Sequence, residues 1–128
     1  MEKEYILKKE LLTITEKKYY YIIKETFKEY EVLPQIALSS IIEKIKNFKN
    51  EYQNELNKVI DIGIFEKQTL RPLLLIEIND KSHLNFKRTK RDAKLLDICN
   101  NAGIKLIFFW IDENPTKIDI ISKIIKNL

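Results

Sequence analysis

The chain has 128 residues, 45% of them hydrophobic, with 2 Gly, 3 Pro and 1 Cys. That is the size of one domain, expected to span 1–128, with a single core; it excludes collagen-like, low-complexity, disulfide-framework and multi-cysteine zinc chains. A formal charge of +4 with 33% charged residues permits a nucleic-acid partner without demanding one.

The start, MEKEYILKKELL, mixes acids with lysines and has no small-residue cleavage site, so it does not read as a secretory signal. No apolar run approaches the roughly 20 residues that span a bilayer. A cytoplasmic, reducing location without a membrane partner is the expectation. Residues 1–12 give no element. Thr13-x-x-Glu16 then reads as a capping box opening a helix, with Glu16, Tyr20, Ile23, Phe27 and Tyr30 at helical spacing on one side. Tyr30–Leu38 carries strand signals, and Pro34 marks it as an edge strand. Ser39 or Ser40 caps a short helix to about Lys46, and 47–57 reads as a loop.

Two stronger strands follow, Lys58–Phe65 and Leu73–Asn79, with Pro72 tolerated where the second begins. A helix is expected from about Arg88 to Ala102, ended by Gly103, then a buried strand over Ile104–Ile111. Asn114-Pro115 is expected to cap a last helix, about 115–127, with Ile118, Ile121, Ile125 and Leu128 as its apolar stripe. The paired strands should be antiparallel and the strand–helix–strand step parallel, giving an α/β fold with a mixed sheet and helices on its faces.

The strands contain acids that do not belong in them. Asp61 lies between Ile60 and Ile62, and Glu77 between Ile76 and Ile78. An acid inside an apolar strand is costly unless something pairs with it. A hairpin centred on Thr69 sets residues whose numbers sum to 138 opposite each other, and Asp61 and Glu77 do so. Opposed Cβ atoms lie about 4.5–5.5 Å apart, where like charges repel. A slip of one residue would send the acids to opposite faces. In the first register they share a site that calls for a cation. In the second, Asp61 is a solvated strand-end acid and Glu77 pairs with a lysine.

Two carboxylates with nearby oxygens suit a hard ion such as Mg²⁺. Gly63 leaves room beside Asp61, and Asn79 adds a neutral oxygen. Glu16 has two readings, as a capping-box acid or as a third acid turned toward the sheet. His83, the only histidine, is either a solvated loop residue or a general acid–base near the end of the acidic strand. Lys87, Lys90, Arg91 and Lys94 share one helix face, with Arg88 beside them, while Leu95, Cys99 and Ala102 point to the core. That basic stripe is either a solvated face or a phosphate-binding one.

An acid on one hairpin strand, then Glu77-Ile78-Asn79 on the next, then a helix and a strand, resembles the PD-(D/E)XK, or restriction-endonuclease-like, nuclease fold. Its core order, α-β-β-β-α-β, is matched over residues 13–111. LLTITEKKYY, VLPQIAL, VIDIGIF, LLLIEINDKSH, KRTKRDAKLLDICNNAGI and KLIFFW resemble most closely a bacterial family of nuclease-like domains akin to the very-short-patch repair endonucleases. The resemblance implies a metal-dependent DNA endonuclease of restriction, repair or mobile-element biology. Asp61 and Glu77, with the Ile78 carbonyl, would bind Mg²⁺ or Mn²⁺, and Glu16 would support the metal or its water. His83 would match the repair-endonuclease histidine, and Gln35 would reach the site or the DNA. Lys87, Arg88, Lys90 and Arg91 would hold the DNA backbone, and many nucleases of the fold act as homodimers.

Asn79 stands where the fold's lysine usually stands. Lys81 or Lys87 would then supply the charge. Otherwise the chain would be a weak or inactive nucleic-acid-binding module on the same fold. A protein-interaction domain with merely solvated charges is the third expectation.

Overall fold

A computed structural model of the chain describes residues 2–45, 54–80 and 86–128, with 54 and 86–88 described in backbone only. The Thr13 hydroxyl accepts the Glu16 N–H at 3.1 Å, and the Glu16 carboxylate accepts the Thr13 N–H at 2.9 Å. This closed capping box starts α1 (Ile14–Thr26), which buries Tyr19 and Ile23. The helix stops at Thr26, so the expected stripe does not run on through Tyr30. Phe27 is the cap residue, and Tyr30 opens β1 (Tyr30–Ala37).

β1 is an edge of a four-stranded sheet ordered β1-β2-β3-β4, in keeping with its Pro34. It pairs antiparallel with β2 (Val59–Glu66), which pairs antiparallel with β3 (Pro72–Asn79). β4 (Lys105–Trp110) lies parallel to β3, and α2 (Phe86–Ala102) joins them. The expected strands are present with ends shifted by about one residue, and α2 begins two residues earlier than expected.

The short helix expected from Ser39 or Ser40 is a single 3-10 turn, Leu38–Ser40. The Leu38 N–H is bonded to the Lys58 carbonyl (2.9 Å), which ties the segment to the start of β2. Residues 54–57 of the expected loop form a second 3-10 turn, and residues 46–53 lie outside the described part. α2 ends as Gly103 predicts. With φ +85 there, Gly103 N–H reaches the Asn100 carbonyl and Ile104 N–H the Cys99 carbonyl. Ala102 is exposed, while Leu95 and Cys99 are buried as expected.

The last helix departs most from expectation. α3 (Lys117–Asn127) is capped by Thr116, whose hydroxyl accepts the Asp119 N–H while the Asp119 carboxylate accepts the Thr116 N–H. Its buried side chains are Ile120 and Ile124. Of the expected stripe, Ile121 is half-buried against this core, whereas Ile118 is 75% and Ile125 62% exposed and Leu128 is exposed as well. Ile124→Ala is therefore expected to cost about 2–5 kcal/mol, the usual range for emptying a buried isoleucine site. Ile125→Ala should stay within about 0.5 kcal/mol. Denaturant midpoints compare the two directly.

The sheet carries apolar layers on both faces. Tyr19, Ile23 and Phe27 join Ile120 and Ile124 over Ile62, Ile64, Leu74, Ile76 and Ile78. On the other face Leu95 and Cys99 of α2 pack with Leu38, Ile60, Leu75 and Leu106. This is an α/β fold with a mixed sheet between helices. Among the described residues no helix is long and apolar enough to cross a membrane.

Candidate metal centre at a forked strand pair

The β2–β3 ladder sets the geometry of the acids. Its pairs Ile64↔Leu74, Gly63↔Leu75 and Ile62↔Ile76 follow the register in which Asp61 falls opposite Glu77. There the regular pairing ends. The Asp61 N–H donates to Glu77 Oε1 at 3.1 Å instead of to a main-chain carbonyl. The Ile78 N–H donates to Asp61 Oδ2 at 2.8 Å. Two carboxylates thus stand in for backbone acceptors in the fork between the strands, and each acid holds the other's strand.

Side-chain alternation breaks at the same level. Ile62 packs with α1 and α3, yet Ile60, two residues away, packs with α2. A regular strand would keep them on one face. In β1, Gln35 lies between the pairs Pro34↔Ile62 and Ile36↔Ile60, which places it opposite Asp61, and its φ is 56. A left-handed glutamine inside a strand costs roughly 1–2 kcal/mol. The turn in both strands, at Gln35 and at Asp61, is what aims Asp61 into the fork.

Glu77 is 3% exposed. Burial pushes its carboxyl up to about 7, and the Asp61 charge pushes the same way; Lys58 and the Asp61 N–H pull down without winning. Burial also pushes Asp61 up to about 6, opposed by the Ile78 N–H, while the charge of Glu16 and a hydrogen bond with it push further up. Glu16 therefore fills both roles left open by its sequence. It closes the α1 cap and also faces Asp61. Lys58 Nζ stands 3.6 Å from Glu77 Oε2. One part of the bland expectation, that Glu77 pairs with a lysine, is thus realised, but in the register that brings the two acids together.

Gly63 does not make room beside Asp61 as expected. A Cβ at that position would meet the Phe65 ring at 2.7 Å and Ile36 at 3.3 Å, so the glycine serves close packing of its neighbours. Asn79, 2% exposed, ends β3 opposite Trp110 of β4. On α2, Lys90 is exposed, and Arg91 comes only within 3.9 Å of its neighbour Asp92. Lys94 reaches Glu55 at 3.4 Å, so part of the basic stripe serves the fold. Lys81 and His83 lie outside the described residues, as do the side chains of Lys87 and Arg88. Lys58 was not among the residues singled out by sequence. A lysine at the mouth of an acid-bearing strand was the available signal, but its reach across to β3 depends on the fork.

The acid pair fits a small hard cation. Asp61 and Glu77 each spend one oxygen on a backbone N–H, while the other oxygen of Glu77 faces Lys58 and Asp61 also meets Glu16. Facing carboxylates, one of them buried, gain from a positive charge between them. Among the described residues no three His, Cys, Asp or Glu side chains form a metal cage.

Fold and site together define an α/β domain with a carboxylate pair, Glu77 buried and Asp61 half-buried, at the fork of its central strands. The chain belongs to the family described as protein of unknown function (DUF2726), whose model matches residues 8–127. No curated protein and no solved structure matches it.

Proposed function

We propose that the chain is a metal-dependent nuclease acting on DNA, with Asp61 and Glu77 as holders of a Mg²⁺ or Mn²⁺ ion. The observation that carries this reading is the meeting of the two acids in the fork, at a cost in desolvation that core packing alone would not require. The succession α1, three antiparallel strands, α2 and a parallel fourth strand supports a restriction-endonuclease-like arrangement. The acids fall on its two central strands.

When bound, such an ion lowers the pKa of a coordinated water and offsets charge on a phosphodiester. The chain's own groups do the rest. Asp61 and Glu77 hold the site together through their backbone bonds. Glu16, already in contact with Asp61, is the acid at hand to take the proton of an attacking water. Lys90 and Arg91, with Lys87 and Arg88 on the same helix, supply positive charge for the backbone of the nucleic acid. His83 and Lys81 join them as further candidates on the segment after β3, and Gln35 stands opposite Asp61. Restriction, repair or mobile-element biology, in the cytoplasm and with a homodimer for double-strand cutting, is the setting this reading proposes.

The test is nicking of supercoiled plasmid, single-stranded DNA and RNA in Mg²⁺ or Mn²⁺, with Glu77→Ala as control. Wild type is expected to nick DNA and Glu77→Ala to leave it intact. Absence of nicking on every substrate ends the nuclease reading. Asn79, buried and uncharged where a catalytic lysine would stand, favours a second reading of a binding module that does not cut. It expects salt-sensitive DNA binding that survives chelation.

A further inference from the structure

Glu77 has two carboxylate oxygens with different partners. Oε1 accepts the Asp61 N–H at 3.1 Å, a bond that holds β2 to β3 where the ladder has ended. Oε2 faces the ammonium of Lys58 at 3.6 Å. An ion taken up by Glu77 finds Oε1 already tied to the Asp61 strand and meets Lys58 at Oε2. A divalent ion and an ammonium on one oxygen repel each other strongly in a site this dry.

Lys58 is built for such an exchange. Its backbone is fixed on both sides, the N–H donating to the Glu55 carbonyl (3.0 Å) and the carbonyl accepting the Leu38 N–H (2.9 Å). The side chain is 24% exposed, against 4% for that of Glu77, so the amine stands where buried acid gives way to solvent. Its contact is longer than the roughly 2.7–2.9 Å of a tight charge-assisted hydrogen bond. Its charge acts on both acids. Position 79, which shares the strand with Glu77, contributes no charge of its own.

We propose that Lys58 is an exchangeable counter-ion of the acid pair, which holds Glu77 Oε2 in the metal-free protein, yields it to a divalent cation, and is then free to meet an anionic phosphodiester at the same mouth. This rests on the metal-binding reading of Asp61 and Glu77. It couples metal uptake to the appearance of positive charge at the substrate's position, with the metal and the lysine in competition.

Competition predicts effects of opposite sign, which a merely structural lysine does not. Wild type, Lys58→Met and Lys58→Arg are titrated with Mn²⁺ at fixed pH and ionic strength, with free Mn²⁺ read by electron paramagnetic resonance. Binding of a short DNA duplex in saturating Ca²⁺ is followed by fluorescence anisotropy over a range of salt. Lys58→Met is expected to bind Mn²⁺ about tenfold more tightly, the effect of one modest charge contact. It should bind DNA more weakly, with a salt slope reduced by about 1. Lys58→Arg keeps the charge and should follow wild type in both assays. Unchanged or weaker Mn²⁺ binding in Lys58→Met overturns the exchange while leaving the metal site standing. Absence of Mn²⁺ binding in wild type overturns the metal site and the exchange with it. Should circular dichroism find Lys58→Met unfolded, Lys58→Gln carries the same comparison.

Discussion

Glu77→Gln is expected to raise the melting temperature of the metal-free protein at pH 8 by several degrees and, in the same molecule, to reduce metal-dependent cleavage on the order of a thousandfold. At that pH the buried carboxylate is ionised although its environment favours the protonated form up to about 7. Folding bears that cost, and one unit between folded and unfolded values is worth about 1.4 kcal/mol. Glutamine has nearly the same shape and keeps a carbonyl oxygen for the Asp61 N–H, so the strands stay joined. It also removes the repulsion with Asp61. Lys58 loses its partner, but its amine is near enough to solvent to find water. The net gain should be on the order of 1–2 kcal/mol, and a chain of this size converts that to several degrees. What glutamine cannot supply is the negative oxygen a divalent ion needs, so the variant should gain no stability from Mn²⁺. Asp61→Ala and Glu77→Ala should lose cleavage too, though alanine leaves a backbone N–H without its acceptor and forfeits stability. Thermal melts in chelator and plasmid nicking measure both halves. A lower melting point with cleavage intact would make Glu77 only a structural partner of Lys58.

The features legible in the sequence were those set by local chemistry. Thr13 and Glu16 announce their helix because both halves of the capping box lie within one turn. Gly103 marks a helix end because only a residue tolerant of φ +85 suits it. The meeting of Asp61 and Glu77 was reachable by arithmetic because a short hairpin leaves few registers, and Ile62↔Ile76 follows the expected one.

The misses share a cause, since each depended on a partner distant in the chain. α3 has isoleucines on two faces, 118, 121 and 125 on one and 120 and 124 on the other. Helical spacing cannot choose between them. The choice is made by packing on α1 and the sheet, which buries Ile120 and Ile124. Thr116-x-x-Asp119, itself a capping-box pattern, was the overlooked sign that the helix starts later than Asn114-Pro115. The break of alternation at Asp61 was hidden because no local rule marks it. It arises where a left-handed Gln35 on one side and a fork on the other turn β2 over. Lys58 could be placed at the acids only after that fork was known.

The same acid pair should govern how stability responds to pH. Carboxylates whose folded-state values lie above their unfolded ones bind more protons when folded. Their cost to folding is absent below about pH 4, where both states are protonated, and complete above about pH 7, so stability should fall as pH rises through that window. The other displaced groups act elsewhere. Glu66 and Asp119, held below the usual carboxylate range by their hydrogen bonds with Thr69 and Thr116, cost stability only under stronger acid. Burial raises Tyr19 and the Cys99 thiol from already alkaline values, and Lys17 and Lys24 are raised by partners in the same range. Metal-free protein should therefore melt several degrees lower at pH 8 than at pH 5. On the metal-binding reading, Mn²⁺ must displace the pair's protons to bind, so its stabilisation should be small at pH 5 and large at pH 8. Glu77→Gln tests the assignment to the acid pair. If the acids are responsible, that variant's melting point should vary with pH far less than that of wild type, and Mn²⁺ should leave it unmoved. An unaltered slope in the variant would take from the acid pair its claim to be the strained element of the fold.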